Sequence, residues 1–252
     1  MSATEIVTEQ LSYAEALRWE DFVIWREAME VEMRQHAEVG TWELAKLPAG
    51  KNLVGSQWVY AAKTDAEGTV ELGKVVQGFM QCLSMDYFEV TSPVVKLDSL
   101  QIILAVAIQN GWAIEMMDVK GTYLNSTLDE EIYMRQPDGF DDGSRHVLKL
   151  HHAIYGLKQS SWSWYKKFTT VLFNDGFTYS HADDCIFYKK TGDQLTIITI
   201  YVNDLGLVVI MYMYIYFISI IKEKELTKKE RRYSSRVDEC TAAHTLYASV
   251  RL

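Results

Sequence analysis

The chain has 252 residues, 48% of them hydrophobic and 23% charged, enough for one substantial core or two smaller ones and too apolar for wholesale disorder. Three prolines and fourteen glycines exclude collagen-like or low-complexity architecture, and three widely spaced cysteines (Cys82, Cys185, Cys240) form no Cys-x-x-Cys pair, so neither a disulfide framework nor structural zinc is expected and the setting is read as reducing and intracellular. The net charge of −9 divides into −12 for residues 1–150 (24 acids, 12 bases) and +3 for residues 151–252 (10 acids, 13 bases), without the basic footprint usual in nucleic-acid binders.

The N-terminus, MSATEIVTEQ, lacks the apolar stretch of a secretory signal, so secretion is not expected. Residues 12–39 read as one helix: Ser12 with Glu15 fits a capping box, and Phe22, Trp25, Met29 and Met33 recur on one face until Gly40 ends the run. Residues 53–62 read as a strand, Asp65–Gly68 as a turn, and Thr69–Phe79 as the returning arm of a hairpin. Asp98 or Ser99 is expected to cap a second helix that buries Leu100, Ile103, Leu104, Val106 and Ala107 and stops at Gly111. Trp112–Val119 follows as a short apolar strand holding Asp118. Residues 160–175 read as a helix with Trp164, Phe168, Val171 and Leu172 on one face, closed by Gly176. Cys185–Lys189 and Gln194–Val202 read as strands joined by a turn at Thr191-Gly192-Asp193. Helices and strands mix without regular alternation, which predicts an α+β fold.

The tail differs in composition. Leu205–Ile221 runs 17 residues without a charge and is followed by KEKELTKKERR. That length is at the short end for a membrane span and the basic flank suits a cytoplasmic side, whereas its continuity with the preceding strand favours a sheet. The lysine and arginine runs beyond it read as a solvated face. His151, His152 and His181 with Asp183 and Asp184 match no zinc spacing and are read as surface residues, and Cys185 as buried and inert.

Two segments carry the chemistry. Asp118 ends an apolar strand, and Asp204 closes Tyr201-Val202-Asn203-Asp204 at a strand end, 86 positions further on. Carboxylates brought together on neighbouring strands suit a hard divalent cation, and two such cations clamp the attacking and leaving oxygens of a phosphoryl transfer. Taken singly, each aspartate also suits a plain turn.

The surrounding motifs narrow this. In order they are Trp25 with Ala28-Met29; Thr41-Trp42-Glu43-Leu44; Val54-Gly55-Ser56 with Trp58-Val59-Tyr60; Gln77-Gly78-Phe79 with Gln81; Asp86-Tyr87; Ser92-Pro93-Val94; Met117-Asp118-Val119-Lys120 with Tyr123-Leu124-Asn125; Tyr133-Met134 with Gln136-Pro137-Asp138-Gly139-Phe140; Tyr155-Gly156-Leu157-Lys158-Gln159; Trp164-Tyr165; and Tyr201-Val202-Asn203-Asp204. Over about residues 20–208 the chain resembles the reverse transcriptase domain of Ty1/copia-type retrotransposons. The resemblance implies a right-hand polymerase of fingers and palm with an antiparallel palm sheet, residues 1–19 being an N-terminal extension and 209–252 a divergent tail without a thumb, of the kind a frame or splice change leaves. It implies RNA-directed DNA polymerase activity by two-metal nucleotidyl transfer with Mg²⁺ or Mn²⁺, on an RNA or DNA template-primer and deoxynucleoside triphosphates. By the same resemblance Asp118, Val119 and Asp204 are the metal positions, and Asp118, Asn203 and Asp204 the catalytic ones. Lys74, Tyr123, Lys158 and Gln159 serve the nucleotide, with Tyr123 the aromatic under the incoming sugar.

The departures bear on activity. Where the family has Tyr-Val-Asp-Asp, this chain has Asn203, which is neutral. The basic fingers stretch before Gly-Phe is reduced to Lys74, and the family's Pro-Arg after Gly-Leu-Lys-Gln is Ser161-Trp162. The expectation is therefore an impaired or inactive polymerase domain. The alternatives are a non-catalytic nucleic-acid-binding remnant and a membrane protein anchored through residues 205–221.

Overall fold

The computed structural model of the chain describes residues 8–9, 12–19, 22–61, 73–119, 121–201, 205–210 and 228–231. In chain order its elements are β1 (Thr8–Glu9), α1 (Tyr13–Ala16), α2 (Phe22–Val39), β2 (Trp42–Ala45), β3 (Leu53–Val54), β4 (Ser56–Ala61), β5 (Gly73–Val76), α3 (Leu97–Gln109), β6 (Ala113–Val119), β7 (Thr127–Met134), β8 (Val147–His152), α4 (Ser160–Asn174), β9 (Thr178–Ser180), β10 (Asp183–Thr191), β11 (Gln194–Tyr201), β12 (Leu205–Ile210) and β13 (Lys228–Arg231). The fold is mixed α+β, as predicted. The chain forms two compact units, residues 1–94 with 121–178, and residues 95–120 with 179–252.

In the first unit, the helix predicted over residues 12–39 is two helices. The capping box forms, with the Glu15 amide donating to Ser12 Oγ at 3.3 Å and the Ser12 amide to Glu15 Oε2 at 2.8 Å. After one turn the chain leaves the helical path and re-enters it at Phe22. Aromatic packing explains the break. Trp19 and Trp25 lie 6.1 Å apart, and Tyr13 meets Phe22 edge-on at 6.0 Å. Residues six apart on a straight helix do not face each other, so the bend lets α1 and α2 both close on Ala16, Trp25, Met29 and Trp58. Gly40, at φ +67°, ends α2 as expected.

The predicted strand over residues 53–62 is likewise divided. β3 pairs in parallel with β7, whereas β4 pairs antiparallel with β5 in the expected hairpin, with Ser56 opposite Val76. Gly55 lies between the two strands, and a Cβ there would meet the Gln77 side chain. The Asp65–Gly68 turn lies outside the described residues. The strand order β2-β8-β7-β3 surrounds a core of Val54, Ile132, Met134, Leu148, Leu150, Ile154 and Leu157, each side chain of this kind contributing about 1.5–3 kcal/mol by leaving water.

The second unit is a sheet of order β13-β6-β12-β11-β10-β9 with helix α3. α3 starts earlier than predicted: its N-cap is Lys96, two residues before Asp98, and makes no side-chain cap bond. Its amide donates instead to Asp183 Oδ2 at 2.9 Å, so a residue of β10 anchors the helix start, while Asp98 sits in the first turn, where the helix dipole favours an acid. Asp183 is therefore buried and structural, not a surface residue; its other oxygen accepts from the Cys185 amide at 3.0 Å. Cys185 is buried as predicted, and burial first, then Asp183 and Asp184, push its thiol up to about 12.

Residues 205–210 form a strand between β6 and β11, with Ile210 opposite Ala113 and Thr196. Among the described residues no helix is long and apolar enough to cross a membrane. Residues 211–221, the rest of the run, lie outside the described residues.

Candidate active site

Asp118 is the penultimate residue of β6, and the β11–β12 ladder ends with Tyr201 opposite Leu205. Met117, the residue before Asp118, stands opposite Gly206. Asn203 and Asp204 fall between the paired residues Tyr201 and Leu205 and lie outside the described residues. Asp118 and Lys74 are described in their backbone alone, Lys74 standing opposite Trp58 in the β4–β5 hairpin. Val119 ends β6 in register with Lys228 of β13. Among the described residues no group of three or more His, Cys, Asp or Glu gathers to hold a metal ion.

Three sequence-predicted residues of the first unit are described in full. Tyr123 follows Gly121, whose φ of +60° turns the chain into a tight 3-10 turn, Thr122–Asn125. Its ring is buried, its hydroxyl lies 3.1 Å from Ser161 Oγ, and it meets Tyr155 edge-on at 4.6 Å. Lys158 is exposed; its Nζ donates to Tyr87 Oη at 2.8 Å and stands 4.5 Å over the Tyr87 ring.

Gln159 is only 1% exposed, and its amide is held by protein groups. Its Nε2 donates to the Asp86 carbonyl at 2.8 Å, and its Oε1 accepts from Gln81 Nε2 at 3.0 Å. Gln81 Oε1 in turn accepts from the Lys158 amide at 2.8 Å. The Asp86 carboxylate, buried, accepts from Asn52 Nδ2 and from the Cys82 amide, both at 2.7 Å. A buried charge needs such donors to offset its lost hydration. The network joins the Gln77–Gln81, Asp86-Tyr87 and Gly156–Gln159 motifs into one platform. Sequence reasoning missed Asn52 altogether and gave Gln81 and Asp86 no role. Their signal was present as polar residues recurring inside apolar motifs, but nothing in spacing alone shows which bond to which.

Beside this platform lies a cleft of about 310 Å³ lined by Phe88, Glu89, Asp129, Glu130, Trp162 and Lys166, among others. Lys166 Nζ pairs with Asp129 at 2.8 Å, which raises the lysine pKa, and Trp162 stacks on Tyr165 with ring centres 5.8 Å apart. Trp162 and Tyr165 are half-buried, and the acids of the cleft offset its lysines. His152, read as a surface residue, is half-buried. Burial is the main cause that holds its imidazole below the ordinary range.

A family model described as "Reverse transcriptase (RNA-dependent DNA polymerase)" matches residues 39–235, further into the tail than the motifs alone reach. Over 187 residues, 72% of the chain, the sequence is 36% identical to the retrovirus-related Pol polyprotein from transposon RE2 of Arabidopsis thaliana. Over the same length it is 37% identical to that from transposon TNT 1-94 of Nicotiana tabacum. It is also 36% identical over 91 residues, 35% of the chain and 30% of the relative, to a putative transposon Ty5-1 protein of Saccharomyces cerevisiae. The matched region spans 13% and 14% of the length of the two plant polyproteins.

Proposed function

The chain belongs to the reverse transcriptase family found in transposon Pol polyproteins, and on that premise we propose that it is a retrotransposon-derived RNA-directed DNA polymerase domain whose own catalysis is impaired. The second unit serves as the palm, and the first supplies fingers residues. The observation that carries this reading is the ladder β6-β12-β11. Its register runs from Met117 opposite Gly206 to Tyr201 opposite Leu205. That register supports Asp118 and the Asn203-Asp204 segment lying at the same end of adjacent strands.

The donor set consists of two carboxylates, Asp118 and Asp204, the Val119 carbonyl and the Asn203 amide oxygen. Such a set fits one hard divalent cation of the Mg²⁺ or Mn²⁺ type and is short of charge for two. When bound, the cation stabilises charge on the transferring phosphate. The protein's own residues bind and orient. The Tyr123 ring, held by Ser161 and Tyr155, is the group that excludes a 2′-hydroxyl. Lys74 and Lys158 offer positive charge to phosphates, and the Gln81–Gln159–Asp86 platform holds the Gly156–Gln159 turn in place. Partners on this reading are a template-primer duplex and deoxynucleoside triphosphates.

Binding and extension of a labelled primer–template test both halves. Binding without extension in Mg²⁺ or Mn²⁺ is the expected result. Absence of binding overturns the polymerase reading, and robust extension overturns the impairment. The alternative of a binding remnant without any catalytic role rests on Asn203. It is favoured if Asn203→Asp adds no activity.

A further inference from the structure

β6 is hydrogen-bonded on both edges, by β12 on one side and by β13, Lys228–Arg231, on the other. The β13 register is Lys228 opposite Val119, Lys229 opposite Asp118, Glu230 opposite Met117 and Arg231 opposite Met116. Residues directly opposite each other across an antiparallel ladder share a face, and successive residues alternate faces. The ladder therefore sorts charge. The face that holds Met116 and Asp118 receives Lys229 and Arg231 from β13, two cations and no acid. The other face receives Lys228 together with Glu230. On the β12 side, the position opposite Met116 is Leu207, which is apolar. Among the described ladder positions beside β6, the charges set on the Asp118 face thus come from β13.

From this juxtaposition we propose that the tail strand supplies a counter-charge to β6, with Lys229 at the ladder position directly opposite Asp118 pairing with that carboxylate. Opposite charges at directly facing ladder positions attract. A metal seat that has an amide at position 203 retains less negative charge to hold a mobile divalent ion. A covalently tethered ammonium group needs no such concentration of charge and avoids the cost of association from solution. The tail, which composition alone marks as foreign to the domain, then has a structural role. It completes the sheet beside β6 and neutralises the carboxylate left there. This inference takes its significance from the reading of Asp118 as a metal carboxylate, but its test does not depend on polymerase activity.

Zero-length carbodiimide cross-linking of the full chain, read by peptide mass spectrometry, tests it. The ion pairs Lys166–Asp129 at 2.8 Å and Lys149–Glu131 at 3.1 Å serve as internal standards of the folded chain. The expected result is an isopeptide between Lys229 and Asp118, lost in Lys229→Arg, which keeps the charge but removes the reactive amine. The proposal is overturned if the standards couple while Lys229 couples to other carboxylates or to none. Either result leaves the polymerase reading to primer binding and extension, so the two fail separately.

Discussion

The Gly156 carbonyl occupies the space that a side chain on Gly78 would need. That approach ties the Gln77–Gln81 segment to the turn that precedes α4, and the hydrogen bonds among Gln81, Gln159 and Asp86 continue it. Gly78→Ala forces the two backbones apart. It is expected to destabilise the chain by about 1–3 kcal/mol, the usual range for overpacking. Urea unfolding that gives the same midpoint as the parent chain would contradict the packing described.

Asp86 offers a second test of the same platform. Removing its buried carboxylate in Asp86→Ala takes away the acceptor of the Cys82 amide and one of the two acceptors of Asn52 Nδ2, which also donates to the Met80 carbonyl at 2.8 Å. Each bond lost costs roughly 0.5–1.5 kcal/mol, because both donors are near enough to the surface to turn to water. Asp86→Asn, which retains one acceptor oxygen, should lose less. Thermal denaturation of the two variants should rank them in that order, and equal midpoints would argue against the bonding assigned.

The Tyr123–Ser161 hydroxyl pair is open to a double-mutant cycle. Tyr123→Phe and Ser161→Ala each remove one member of a 3.1 Å contact. Their effects on stability should be non-additive by about 0.5–1.5 kcal/mol, the net worth of one such bond. Strict additivity would show that the two side chains do not interact.

His152 makes stability depend on pH in a defined direction. Burial lowers its folded-state pKa from the ordinary 6.5, so the unfolded chain takes up a proton more readily. The stability that the neutral ring contributes is complete above 6.5 and declines as pH falls below that value. His152→Gln should therefore flatten the fall in stability between about pH 8 and about pH 5. Identical pH slopes for the variant and the parent in urea titrations would refute the assignment.

Much of the fold was legible because apolar period and glycine position agree. Gly40, Gly111 and Gly176 end their helices, and the β10–β11 hairpin turns where Thr191-Gly192-Asp193 signals it. What sequence reading missed depends on partners distant in the chain. The division of residues 12–39 follows from Trp19 and Trp25 sharing one aromatic cluster, and α3 is anchored by Asp183, 87 residues from Lys96. The apolar run from Leu205 left a membrane span open beside the favoured strand, and for residues 205–210 the ladders with β6 and β11 supply the strand. For the candidate site, motifs singled out Tyr123, Lys158 and Gln159. That Gln159 is consumed by Gln81 and Asp86 is a tertiary fact, invisible to spacing.

Primer extension by the parent chain beside Asn203→Asp, on the same template with Mg²⁺ and with Mn²⁺, tests the central claim most directly. A carboxylate restored at position 203 regains Coulomb attraction of roughly 4 kcal/mol per unit of cation charge about 4 Å away at an effective dielectric of about 20. The account predicts no detectable extension by the parent and measurable extension by the variant. Extension by the parent at a rate equal to that of the variant would contradict it.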